Sequence, residues 1–411
     1  MNPGVLGFLL GLGAGGTLAL VGEAKNRRTL RRLRRGKARS LSILIASRNE
    51  EDVIENTIRT LAENAPPETE IIVVDGSTDS TPQILARLAQ EIPSLKVLPD
   101  PYRKGKPAAL NYALQHVRGE IVLFMDADAR MDKEGLRFYP EVLSGSDLPA
   151  LFADFSSYNT RRTWVVEAQE YLFSFARRLV FPGIFWRPVF MTCGLFVRKE
   201  ALEKAGEFKQ KTLVDDFDLG IRLAKMGIKV PFVRGPRCLI QYSPTLRDLF
   251  YQFLRWYTGG IQEMKNEIRK GHFSYLLLMT ALALVIYFPQ VALIVDGARG
   301  EWFLISHVLP GYFGLLWGAA QVPSLLDGKK DSSLLWAFPF MYVWIQLTVA
   351  VSFFRSFFGE IPWYKVKRER GLENAQGIHC CPRLKRGSGI GGDPGIPAGP
   401  ALPGFRAHRG G

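Results

Sequence analysis

Three short runs constrain this chain most: "LSILIAS" (41–47), "EIIVVDG" (70–76) and "EIVLFMDAD" (120–128). Each is almost continuously apolar, the pattern of a strand buried on both faces rather than on one. Between and beside them lie segments with helical spacing, "EEDVIENTIRTLAEN", "TPQILARLAQEI" and "PAALNYALQHV", and one more short strand pattern, "LKVLP". Strand and helix in alternation build a parallel sheet with helices on both faces. Ligands of such α/β sheets bind beyond the carboxyl ends of the strands, so the residues that follow each strand matter most. Here they are Arg48-Asn49-Glu50, Asp75-Gly76-Ser77 and Asp126-Ala127-Asp128, which gathers polar and acidic groups on one edge.

Apolar segments bracket this motif-rich stretch. The first, "GVLGFLLGLGAGGTLALVG" (4–22), lacks a basic n-region and reads as a retained anchor rather than a cleaved signal. Gly4, Gly7, Gly11 and Gly15 fall near one helical face, a small-residue surface suited to packing on another helix, and a homo-oligomer through membrane helices is one use of it. Nine Lys and Arg follow within residues 25–39, the densest part of a formal charge of +14. Placed there, they match an anionic bilayer surface and put the following domain in the cytoplasm. No nucleic-acid recognition module accompanies them. Three more apolar stretches, 274–295, 302–325 and 333–357, are each long enough to span a bilayer. If all three span, the basic "WYKVKRERG" (363–371) lies outside, against the positive-inside rule. The alternative is two spans and a re-entrant or interfacial segment at 302–325. The expected plan is an anchor (1–24), a basic linker (25–40), a cytoplasmic domain (41–244), an interfacial helix (245–272), a membrane region (273–357) and a basic, then disordered, Gly- and Pro-rich tail (358–411). Cys193, Cys238, Cys380 and Cys381 form neither a disulfide framework nor a zinc spacing.

The acids carry the chemistry. "VVDGSTDST" is at minimum a strand-to-helix turn capped by Asp79 or Ser80. In "LFMDADAR", Asp126 and Asp128 repel each other unless a cation joins them, and oxygen-rich pairs suit Mg²⁺ or Mn²⁺ held against a diphosphate. "LVDDFDLGIRLAKMG" brings Asp215, Asp216 and Asp218 to a helix N-terminus, where the macrodipole favours anions; Asp215 is the expected cap. A carboxylate left over there is placed to accept a hydroxyl proton. "YRKGKPAALNYAL" supplies Lys106 beside a helix N-terminus as a phosphate or nucleotide contact. "QFLRW" (252–256) puts Gln252, Arg255 and Trp256 on one helical face, with Leu249, Phe253 and Tyr257 as an apolar stripe able to rest on the bilayer interface.

Taken in order, "ILIASRNEE", "VVDGSTDST", "RKGKPAALN", "FMDADA", "TCGLFVRKEAL", "VDDFDLGIRL" and "QFLRW" resemble the family 2 glycosyltransferases. They are most similar to the membrane-embedded branch with D, DxD, [TE]D and QxxRW motifs, which includes cellulose, chitin, hyaluronan and poly-N-acetylglucosamine synthases. The resemblance implies an α/β GT-A (Rossmann-like) fold, a UDP-sugar donor, a saccharide or lipid acceptor, a divalent cation and inverting transfer. It implies that Asn49, Glu50, Asp75 and Lys106 contact the nucleotide, with Asp126 and Arg255 at the diphosphate. Asp126 and Asp128 would hold the metal, and Asp216 would be the catalytic base. Cys193, Gly194, Gln252 and Trp256 would line the acceptor. Val214-Asp215-Asp216 departs from the usual Thr-Glu-Asp by a shortened middle acid. The leading expectation is a synthase that transfers to a growing polysaccharide at the membrane; the alternative is a non-processive, lipid-directed transferase making a glycolipid or short oligomer.

Overall fold

In a computed structural model, residues 2–181, 193–206, 208, 209, 212–329, 333–358 and 364 are described. The tail expected to be disordered, and all of the basic 363–371 segment except Tyr364, lie outside them. The elements are α1 (Pro3–Arg32), β1 (Leu41–Ser47), α2 (Ile54–Asn64), β2 (Glu70–Asp75), α3 (Thr81–Glu91), β3 (Leu95–Pro99), α4 (Lys106–Leu114), β4 (Ile121–Asp126), α5 (Lys133–Ser144), β5 (Ala150–Ser157) and α6 (Trp164–Leu179). There follow β6 (Leu195–Arg198), α7 (Lys199–Ala205), α8 (Asp215–Lys225), β7 (Phe232–Ile240), α9 (Leu246–Arg269), α10 (Ser274–Arg299), a π-helical turn at Leu304–Val308, α11 (Leu309–Leu326) and α12 (Ser333–Arg355).

Seven strands form one sheet in the order β3-β2-β1-β4-β6-β5-β7. The first four run parallel, and β1, β2 and β4 carry the buried apolar pattern of such strands, with Ser47 level with Asp75 and Ala46 level with Asp126. β6 inserts antiparallel between β4 and β5, and β5 pairs parallel with β7. One apolar layer, including Ile43, Ile45, Ile71, Leu123 and Phe196, lies on one face of the sheet. Leu44, Ile72, Val122, Phe124 and Leu195 form the layer on the other.

α1 does not stop at the end of its apolar stretch; it continues through the first half of the basic run to Arg32. Its glycine face is filled by α11. A Cβ added at Gly11 would meet the Gly311 carbonyl oxygen at 2.1 Å, and one at Gly15 the Leu315 oxygen at 1.9 Å. The fit is reciprocal, since a Cβ at Gly314 or Gly318 would strike the Phe8 or Leu12 oxygen at 2.1 Å. Only glycine lets two backbones approach this closely. The small-residue surface is thus occupied by a helix of the same chain, not by a second copy. Three helices, Pro3–Arg32, Ser274–Arg299 and Leu335–Arg355, are long and apolar enough to cross a membrane.

A buried ionic network fastens these helices to the sheet. Asp327, just past α11, takes Arg177 Nη2 and Arg178 Nη2 at 2.8 Å each, while Arg178 Nε lies 3.1 Å from Glu23 of α1. Arg234 of β7 also pairs with Glu23, and Arg177 Nη1 donates to the Phe155 carbonyl of β5 at 2.7 Å. Such buried pairs add little net stability over apolar packing, yet each charge here depends on the others for compensation. They fix one orientation of helices on sheet.

Candidate active site

The parallel register brings the ends of β2 and β4 to one edge, on either side of β1, with their last residues Asp75 and Asp126 roughly 10 Å apart. The loops there are tied together by side chains. Asn49 sits at φ 59°, a left-handed conformation that Asn tolerates. Its N–H donates to Ser77 Oγ at 2.6 Å and its Oδ1 accepts from the Thr78 N–H at 2.7 Å. Ser77 in turn donates to Asp75 Oδ1 at 2.5 Å. Burial pushes the Asp75 carboxyl up, and the Ser77 and Ser47 hydroxyls oppose it. Buried Glu50 is held by its N–H, which donates to Thr81 Oγ1 at 2.9 Å. Asp79 accepts from the Thr81 N–H at 3.0 Å, whereas Ser80, in the cap position, makes no side-chain cap bond.

Lys106 opens α4 rather than preceding it, after Gly105 at φ 92°. Its Nζ lies 2.6 Å from Asp126 Oδ1. Burial alone would lower the Lys106 pKa, but Asp126, and Asp215 beyond it, hold it above its ordinary value. Asp128 is buried in the turn that begins at Asp126, where the Ala129 N–H donates to the Asp126 carbonyl at 3.0 Å.

The cap of α8 is Val214, without a side-chain bond, so Asp215 is the first helical residue and not the cap expected of it. Asp218 is accounted for by Arg222 at 3.0 Å, one turn along. Asp216 stands apart. Burial, with the Asp215 carboxylate beside it, pushes Asp216 up to about 7 against the pull of Lys106 and Arg255. Five charged groups from α4, β4, α8 and α9 therefore share one field: Lys106, Asp126, Asp215, Asp216 and Arg255.

α9 divides its motif among three tasks. Gln252 Oε1 accepts from Ser243 Oγ at 2.9 Å, in the loop leaving β7. Arg255 faces the Asp216 field. Trp256 stacks on Phe253, with centroids 5.5 Å apart, and packs against the cluster of Val214 and Phe217 at the start of α8. Gly259 permits the close approach, because a Cβ there would lie 2.8 Å from Leu213 Cβ and 2.9 Å from Val214 Cγ1. The stripe expected at the bilayer interface is instead covered by protein: Leu249 and Phe253 are buried among Val165, Ala168 and Tyr171 of α6 and Ala337 and Met341 of α12. Helical periodicity marks a buried face without saying what buries it.

Cys193 and Gly194 lie in a turn between β4 and β5. The Gly194 N–H donates to the Phe124 carbonyl and its own carbonyl accepts from Ala153, both at 2.9 Å, with φ at 78°. Cys193 is buried, its Sγ 3.6 Å from that of Cys238. This turn is stitched between β4 and β5, beside Lys106 and Asp126.

Two contacts go beyond the sequence pattern. Ser77 is the hub joining Asp75 to Asn49, signalled only by its place two residues after Asp75. Arg130, two after Asp128, lies 4.5 Å over the Tyr158 ring, and its buried Nε has no hydrogen-bond partner among the described residues.

Residues 42–206 match the model of a family described as glycosyl transferase family 2. Over 232 residues the chain is 31% identical to the beta-monoglucosyldiacylglycerol synthase of Nostoc sp., covering 54% of this chain and 49% of that protein. It thus spans about half the length of that relative. The probable glycosyltransferase YdaM of Bacillus subtilis is 23% identical over 372 residues, covering 80% of this chain and 86% of its own. Among solved structures, a mannosyltransferase, PcManGT from Pyrobaculum calidifontis, in complex with GDP-Man and Mn²⁺, has a TM-score of 0.55 at 20% identity, covering 85% of this chain and 98% of that one. That likeness is one of fold, and the mixed α/β sheet is of the GT-A type.

Proposed function

We propose, from the family 2 glycosyltransferase domain that residues 42–206 form, that this chain moves a sugar from a nucleoside-diphosphate donor to a hydroxyl of a lipid acceptor at a membrane. The observation that carries the reading is the shared field of Lys106, Asp126, Asp215, Asp216 and Arg255 at the carboxyl edge of the sheet. It holds the Asp216 carboxyl poised near neutral pH in the field of two cations, which suits proton acceptance beside a polyanionic leaving group. The domain lies in the cytoplasm and the long apolar helices in the cell membrane. Two observations favour a lipid over a growing polysaccharide: a lipid-glycosylating relative at 31% identity, and three helices of spanning length among the described residues, few to line a polymer channel.

The donor assignments belong to the same proposal. Asp75, with Asn49 and Glu50 behind it, contacts the nucleoside, UDP being the expected carrier. Asp126 and Asp128 offer the hard oxygens a divalent cation takes, Mg²⁺ or Mn²⁺. Such a cation, when bound, supplies charge neutralisation to the leaving group. Lys106 and Arg255 add positive charge at the same place. Asp216 takes the proton of the acceptor hydroxyl onto its carboxylate as that oxygen attacks the anomeric carbon opposite the diphosphate, so configuration inverts. Gln252 and Trp256 orient the acceptor from α9.

The test supplies radiolabelled UDP- and GDP-sugars to membranes containing the protein, with diacylglycerol, other lipids and oligosaccharides as acceptors. A chloroform-soluble labelled glycolipid is expected. A product that grows into a water-soluble polymer would replace the lipid reading with the polysaccharide one. No transfer to any acceptor would remove both.

A further inference from the structure

Between the long helices lies a cleft of about 420 Å³ whose walls come from four elements: Phe8 of α1, Pro289 of α10, Phe313 and Trp317 of α11, and Phe338 and Val343 of α12. Tyr342, Gln290 and Gln346 also border it, but their polar atoms are engaged elsewhere. α10 breaks at Tyr287, ahead of Pro289, and proline has no N–H to return to the preceding turn. The Ile286 carbonyl accepts from Tyr342 Oη at 2.8 Å and Gln346 Nε2 at 2.6 Å, the Val285 carbonyl accepts from the Tyr312 hydroxyl, and Gln290 bonds to Gln346 at 3.3 Å. The polar groups are spent on repairing the helix break, so the cleft presents hydrocarbon and aromatic surface.

We infer that this cleft binds an acyl chain of the lipid acceptor. Three of its four walls belong to the helices long and apolar enough to cross a membrane, so in a bilayer the cleft is bordered by lipid-facing helices. It is also joined to the candidate site. Phe338 lines the cleft and packs against the cluster of Leu249, Phe253 and Ala337, the same cluster that Trp256 packs on. Phe338 is thus the side chain that connects the cleft to the packing around α9. The inference rests on the lipid-acceptor reading above and adds where the lipid is held.

Val343 lines the cleft and is half-exposed, so Val343→Trp fills it from the lipid side; Leu347→Trp, one turn along and outside the cleft, is the control. The reconstituted full chain is assayed with dipalmitoyl- and dihexanoylglycerol. Displacing about two buried methylenes raises KM for the palmitoyl acceptor about tenfold in Val343→Trp, with the hexanoyl acceptor and the control unchanged. Equal KM values in all three proteins overturn the cleft while leaving the glycolipid reading intact. Product on oligosaccharides and on neither diacylglycerol sinks the reading itself. In parallel, a diacylglycerol carrying a diazirine at the chain end is photolysed on the unmodified protein. Label at Phe313, Trp317 and Phe338 to Val343 is expected, and label confined to the open face of α10, at Leu277 and Ile294, overturns the inference.

Discussion

Replacing Asp215 by Asn tests the candidate base without touching it. The Asp216 carboxyl is raised from an ordinary 3.8 to about 7, first by burial and second by Asp215, with Lys106 and Arg255 pulling the other way. That rise corresponds to on the order of 4 kcal/mol. Two carboxylates on adjacent residues, about 6 Å apart at an effective dielectric constant of about 20, repel by about 2.8 kcal/mol, or about two pH units. Removing the Asp215 charge while leaving burial in place should therefore bring Asp216 down to roughly 5 to 6. The sign follows from which form works. A base must be ionised, so kcat/KM of the unmodified enzyme climbs as pH rises through about 7. The assay is nucleotide release between pH 5 and 9, and kcat/KM reports the free enzyme. In Asp215→Asn the rising limb should move to lower pH by one to two units, with the plateau at high pH kept within a few-fold. A limb that stays near 7 beside an intact plateau would refute the electrostatic account, and near-normal turnover in Asp216→Asn would remove Asp216 from the role altogether.

The same raised carboxyl binds more protons folded than unfolded between about pH 4 and 7, so its contribution to stability falls as pH rises through that window. Asp216→Asn should flatten this fall in a denaturant titration repeated at pH 5 and pH 8, with the larger gain at pH 8. Gly15→Leu drives a side chain into the Leu315 carbonyl and should cost about 3 kcal/mol or more, read as loss of monodisperse protein in detergent; Gly13→Leu, with open space around it, should stay within about 0.5 kcal/mol. Asp327→Asn leaves buried Arg177 and Arg178 undercompensated and should cost about 3 to 5 kcal/mol in the same assay. Transfer should fall by orders of magnitude in Asp126→Ala or in excess chelator, and undiminished activity with chelator would exclude the divalent cation.

Much of the sheet was legible because β1, β2 and β4 are short, continuous apolar runs that fit no exposed element, and the residues following them declared the ligand edge. The antiparallel β6 was not. Its four residues "LFVR" carry no period, and its place between β4 and β5 is set by long-range pairing at Gly194. The crowding of Asp215, Asp216 and Asp218 was visible, whereas the company that singles out Asp216 comes from Lys106 and Arg255, far away in the chain. The glycine face of α1 and the apolar stripe of α9 were readable as packing surfaces. Their partners, α11 on one side and α6 with α12 on the other, depend on tertiary contacts that no local pattern encodes.

The α1–α11 seam also sets a timetable. Gly15 is made some 300 residues before Gly318. At about 5 to 20 residues per second, α1 emerges from the ribosome roughly 15 to 60 s before its partner exists. With α1 in the membrane as proposed above, its bare glycine groove is open to other helices during that interval. Nascent chains that end before residue 309 should accordingly keep α1 in contact with the insertase, and release should coincide with the synthesis of α11.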